Sequence, residues 1–242
     1  MREQIHNWLI ANKIFFETVT TTVLALMAII ISITQTFTAI KQTDLITLQT
    51  QVAEAQALPQ FELALHPKLN EQTGKFDDNN LIITNRGGPV HNFAASEAYF
   101  ICVTGGLGGM ISKNEVPVDD YFAYSFTSTA GVGDLVQAFG IKNNASVIAL
   151  ARDIRNLADA KKMDYGILDE KLIVRLVYRD LLDRLHDDYY EVRPISGGTR
   201  MEDGIGRTIF KTWIEATKRY HLSDLKAENL LKDVARIEKH HP

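Results

Sequence analysis

Cysteine is almost missing from this chain: Cys102 is the single one in 242 residues. One thiol closes no intrachain disulfide and builds no thiolate metal cluster, so a disulfide scaffold is excluded. Its setting, the apolar run AYFICV, marks it as a small buried strand residue. A nucleophilic role would need a neighbouring base, and the local sequence offers none. A basic excess is missing too. Lys and Arg number 26 against 30 Asp and Glu, for a formal net charge of −4, and the two signs stay nearly balanced along the C-terminal third. Binding nucleic acid through its phosphates draws on a basic face, so DNA and RNA are not expected partners.

Catalytic signatures are also lacking. There is no GxSxG, no HExxH and no paired-carboxylate motif. TGGLGGM, from Thr104 to Met110, is rich in glycine but lacks the Gly-Lys-Ser/Thr continuation and the GxGxxG spacing of a phosphate cradle. It reads as a hairpin or loop, and SGGTR at Ser196–Arg200 reads the same way. The Gly-Gly pairs at 87–88, 105–106, 108–109 and 197–198 are expected to gather at one end of the domain, where binding loops sit. HDDYYE, from His186 to Glu191, joins an imidazole to three carboxylates. On a strand they divide between two faces, which suggests polar edge-strand surface rather than a metal site. His66 and His91 are isolated, and His240 and His241 belong to a terminal tail. The expectation is therefore a protein with no catalytic, cofactor-binding or metal-binding residues.

What the chain does have is one long apolar run, ETVTTTVLALMAIIISITQTF, with no second run like it. From Thr18 to Ile40 no residue is charged. As a helix that segment is about 35 Å long, enough for a hydrocarbon core of about 30 Å. A soluble-core helix would show charges on its wet face, and an export signal would carry a shorter core and a small-residue cleavage site. An uncleaved single-pass anchor in membrane lipid fits better. Arg2, Lys13 and the amino terminus precede the run and Lys41 follows it. The positive-inside rule leans towards a cytoplasmic N-terminus by one side chain, a margin that fixes no side for the soluble domain.

The run has a polar face. Glu17, Thr21, Ala25, Ala28, Ser32, Gln35 and Ala39 follow at helical steps and share an arc of about 80°. Val23, Leu24, Leu26, Met27, Ile29, Ile30, Ile31 and Ile33 cover the other faces. Helices in membranes pack through small residues and bond across the seam with Ser, Thr or Gln, so the expected partner is a second copy of the chain or another membrane protein. Two other readings exist. The hydroxyls can bond their own helix backbone, with Glu17 at headgroup level, or the stripe can wall a water-filled pore. Next, KQTDLITLQTQVAEAQA forms a helical stem whose Leu45, Leu48, Val52 and Ala55 make a two-heptad seam. On one straight helix this seam points about 150–200° away from the stripe. Either the helix breaks near Ile40–Asp44, or the two seams serve different contacts.

Beyond Pro59 the pattern changes to period 2. PQFELALHP, LIITN, FAASEAYFICV and YFAYSFT read as strands, with LNEQTGKFDDNN as a polar turn. EKLIVRLVYRD and HDDYYEVRP form a hairpin joined by LLDRL. Between these groups NNASVIALARDIRNLADAKK is a surface helix docking Val147, Ile148, Ala151, Ile154, Leu157 and Ala158. GIGRTIFKTWIEATKRY is a second helix, and Ser223 is placed to cap a third. The expected class is α+β: a tail (1–16), a transmembrane helix (17–40), a stem (41–58) and an antiparallel sandwich-like domain (59–242). That domain carries a helical insertion at about 130–165 and C-terminal helices at about 205–239. In outline this layout resembles many small bacterial membrane-anchored proteins, a likeness of architecture that carries no residue over and implies the inner membrane. The function expected is membrane-anchored binding or sensing with self-association through the span. The alternatives are an effector whose oligomerised span opens a pore or perturbs the bilayer, and a tethered hydrolase with a site assembled from distant residues.

Overall fold

The computed structural model describes residues 1–107, 110–161, 164–194 and 196–232. The chain divides into two compact units, Met1–Ala55 and Gln56–Pro242. In the first, α1 (Arg2–Ala11) is followed by α2 (Lys13–Ala57), with Asn12 between them at φ −105° and ψ 11°. The Asn12 side chain and backbone N–H both donate to the Trp8 carbonyl, which satisfies the end of α1. α2 runs for 45 residues and has no buried residue. It contains neither Gly nor Pro and stays helical through Ile40–Asp44, so the break considered there does not occur.

The second unit is α+β, with two sheets. The smaller is ordered β1-β2-β6-β5: β1 (Phe61–Asn70), β2 (Lys75–Asn85), β6 (Gly133–Phe139) and β5 (Tyr124–Thr127). The larger is ordered β10-β4-β3-β7-β8-β9: β10 (Tyr220–His221), β4 (Met110–Asp119), β3 (His91–Leu107), β7 (Asp164–Arg179), β8 (Leu185–Arg193) and β9 (Gly197–Arg200). All neighbours pair antiparallel except β10 with β4. Alternation along β3 explains the layering. Tyr99, Ile101 and Val103 join Leu63, Leu81, Ile83, Leu172, Val174 and Leu176 in the main core. Ala98 and Phe100 turn the other way, onto Ile173, Tyr189 and Phe210 of α4 (Asp203–Glu215). Both faces of the central strands are thus dry, and Cys102 is fully buried among them.

Several expectations are corrected. The segment read as a helical insertion begins with strand β6, which pairs with β2 and β5; the helix itself, α3, is Asn143–Lys161. Its buried side is Val147, Leu150, Ile154 and Ala158, while Ile148 is exposed. The polar turn after β1 is short, because β2 already begins at Lys75. β8 is an interior strand between β7 and β9, with Asp188, Tyr189 and Tyr190 buried, so HDDYYE is not edge surface. Ser223 lies inside a 3-10 turn, Leu222–Asp224, and its hydroxyl faces Asp224 instead of capping; helix resumes at 227. The glycine pairs do not gather at one end. Gly87 and Gly88 precede the start of the 17-residue β3, whereas Gly105 and Gly106 close its other end, about 50 Å away. Gly108, Gly109, His240 and His241 lie outside the described residues, as does the end of the expected C-terminal helices.

Candidate functional site

Because α2 is unbroken, the residues singled out in it share one rod. Glu17, Thr21, Ala25, Ala28, Ser32, Gln35 and Ala39 form one side, and Leu45, Leu48, Val52 and Ala55 lie further along on the opposite side, all exposed. All the threonine donors of the run but Thr20 are spent locally. Thr21 donates to the Glu17 carbonyl at 2.7 Å, Thr18 to Ile14 at 2.8 Å, Thr22 to Thr18 at 2.9 Å, and Thr36 to Ser32 at 2.9 Å. A hydroxyl bonded to the carbonyl one turn back demands no outside acceptor. Glu17 stands 3.8 Å from Lys13, one turn away. Ser32 and Gln35 differ, since among the described residues neither side chain has a hydrogen-bond partner. Gln35 is the larger demand, with two N–H donors and a carbonyl to satisfy. Before the run, Trp8 and Phe15 each pack edge-to-face on Phe16, with centroids 5.7 and 5.8 Å apart. Aromatic rings at the end of an apolar helix are the composition of an interfacial belt. In the sequence these rings stand together in WLIANKIFF, just before the uncharged run.

The second candidate is a cavity of about 240 Å³ at the β4 edge of the larger sheet. β3 contributes Glu97 and Tyr99, two residues apart and so on one face, towards the space between the sheets. β4 ends at Asp119, and Asp120 turns the chain at φ 59°, carrying Tyr121 and Phe122 inward. α4 supplies Trp213, whose indole N–H donates to the Val118 carbonyl at 3.4 Å, and β10 supplies His221. The acids are not equivalent. Asp119 pairs with Arg219 at 3.3 Å, and that guanidinium lies 4.7 Å from the Trp213 ring centre. Asp120 meets His221 Nδ1, a contact that raises the imidazole's proton affinity. Glu97 has no partner side chain among the described residues, and its own backbone N–H is the donor that reaches it. Burial pushes its carboxyl above the usual range.

Behind this cavity Tyr99 and Tyr121 stack with ring centres 3.8 Å apart, and both donate to Glu170, at 2.7 and 3.3 Å. Burial raises the Glu170 carboxyl, against the pull of the two phenols. Burial and the facing Glu170 push both phenols well up, so they remain neutral donors. Asn79 completes the group by donating to Tyr121 at 3.1 Å. This network ties β2, β3, β7 and the 120–122 turn together.

The cluster around HDDYYE is tied off in the same way. Asp180 accepts from the backbone of Leu182 and Arg184 and from Arg184 Nε, and meets His186 Nε2 at 3.0 Å. Burial works against its charge, but these bonds outweigh it and hold the carboxyl below the usual range. His186 stacks on Tyr178, whose hydroxyl donates to Asp188 at 2.8 Å, and Arg200 closes on Asp188 at 2.6 Å. Asp187 receives a two-pronged contact from Arg175, at 2.7 and 3.1 Å. Each of these carboxylates is answered by a strand neighbour, which is the wiring of a scaffold. Among the described residues no group of three or more His, Cys, Asp or Glu is arranged to hold a metal ion.

Comparison with protein-family models, with curated proteins and with solved structures finds no match.

Proposed function

We propose that this is a single-pass membrane-anchored protein that self-associates through the polar face of α2 and uses its domain of residues 56–242 to bind or sense a ligand. The observation that carries the reading is Thr18–Ile40: it has no charge, and no residue of it is buried within the chain. Leaving a Leu or Ile side chain in water rather than an apolar medium costs about 1.5–3 kcal/mol. Leu24, Leu26, Ile29, Ile30, Ile31 and Ile33 all stand exposed, so hydrocarbon is the solvent this helix suits. Lipid is then the partner of the apolar sides, and a second copy is the partner of the polar side. Gln35 is the group that most needs one, since an amide left unbonded in hydrocarbon is costly. The local bonding of the threonines and the Lys13–Glu17 pair leave few groups to line a conducting wall, which favours packing over a pore.

The mass of the detergent-solubilised full-length protein tests this. More than one copy per particle is expected. Gln35→Leu should weaken association about three- to eighteen-fold, as about 0.6–1.7 kcal/mol per interhelical hydrogen bond implies. A monomer at every concentration overturns self-association. If instead Glu17→Leu with Gln35→Leu leaves the mass unchanged but abolishes ion leakage from liposomes, the pore-forming effector is the better account.

A further inference from the structure

The cavity walled by Glu97, Tyr99, Phe122 and Trp213 has the chemistry of a site for an organic cation, and we propose that it receives a primary amine or guanidinium. The inference rests on reading the domain as the binding part of an anchored protein, and it names the class of group bound. Glu97 sits on the inner face of the larger sheet, opposite Val174 in the β3–β7 register. Tyr99, Val118 and Val174 around it belong to the main core. An apolar side chain would suit that position, whereas a carboxylate without a cation there works against folding. A positively charged ligand reverses the sign of that effect. The pocket's own rim displays the same chemistry, because the Arg219 guanidinium is held between the Asp119 carboxylate and the Trp213 ring. Glu97 offers the matching carboxylate beside Tyr99 and Phe122; no arginine or lysine is among the lining residues, and the basic one that is, His221, is engaged by Asp120.

Size limits the ligand. About 240 Å³ is below the ~300–1,000 Å³ of sites for drug-sized molecules. A cavity of that size suits the charged end of an alkylamine or of a Lys or Arg side chain. A free amine and a side chain presented by a partner protein share this chemistry, and the experiment separates them.

The full-length protein in detergent micelles is titrated with n-butylammonium, ethylguanidinium and, as the uncharged isostere, n-butanol, followed by tryptophan fluorescence and calorimetry. At least one cation is expected to bind at millimolar concentration or tighter, n-butanol at least tenfold more weakly, and Glu97→Gln to lose at least tenfold in affinity for the cation. Glu62→Gln, an exposed acid paired with Arg86, should bind as the parent does. A second arm compares free butylammonium with a tripeptide bearing a central lysine. Tighter binding of the tripeptide identifies a partner's side chain as the source, and its exclusion identifies a free amine. Equal binding of cation and alcohol, unchanged binding by Glu97→Gln, or no binding of either cation overturns the proposal. Glu97→Gln must still melt cooperatively, which separates lost affinity from lost fold. Membrane association is read separately by sedimentation, so a protein that pellets with membranes yet binds no cation sinks this inference and leaves the anchored reading intact.

Discussion

At the residue scale, Glu97 makes a pH-dependent difference that a single substitution isolates. Burial raises its folded-state pKa above that of the unfolded chain. An acid shifted this way favours folding while protonated, and that advantage is lost as pH rises from the unfolded value of 4.5 through the raised one. Glu97→Gln keeps the shape and removes the charge. The variant should therefore be more stable than the parent at pH 7, and the gap should close as pH falls towards 4. Urea melts of the two proteins at several pH values check this, and a gap that is constant with pH contradicts it. The residue could not be chosen from the sequence. ASEAY reads as ordinary strand alternation, and the cavity is assembled from positions 97, 99, 118–122, 213 and 221, which no local motif connects.

At the element scale, two glycines in one helix should respond with opposite signs. In α4 a Cβ on Gly206 would run into the Tyr189 side chain, while a Cβ on Gly204 meets nothing within 4 Å. Gly206→Ala should destabilise by about 1–3 kcal/mol through overpacking, despite the better helix propensity of alanine. Gly204→Ala should stabilise by about 0.5 kcal/mol. Thermal melts decide, and equal shifts for both would contradict the packing of α4 on β8. α2 supports another prediction. Because the stripe and the stem seam lie on opposite sides of one unbroken helix, one neighbouring helix cannot contact both. Gln35→Leu and Leu48→Ala should thus act on association independently, adding within about 0.5 kcal/mol, whereas strong non-additivity would mean a shared contact.

Elements with strong periodicity were legible: the apolar helix, β1, β3 and the β7–β8 hairpin all follow their hydrophobic alternation. β4 and β6 were not. MISKNEVPVD alternates apolar residues only at Val116 and Val118, and GDLVQAF fits helix and strand equally. Pairing with β3 in the first case and with β2 and β5 in the second decides their conformation. Burial decided the rest. The acids of β8 look like surface in one dimension, but partners from Tyr178, Arg200 and Arg175 take them into the sheet interior.

At the scale of the whole molecule, buried apolar residues are divided unequally between the two units. The 56–242 unit buries two apolar cores, one between the sheets and a second beneath α4, and leaves others such as Phe126 and Ile141 exposed. The first unit has no such core, since neither α1 nor α2 has a buried residue. One helix of that unit is long and apolar enough to cross a bilayer, and the proposed anchor rests on it. The most direct measurement is sedimentation of the full-length protein from a detergent-free lysate, followed by an alkaline carbonate wash that strips peripheral proteins. With Thr18–Ile40 in lipid, the protein is expected to stay in the washed membrane pellet and to be released only by detergent. Recovery in the first supernatant or in the carbonate wash would contradict that placement.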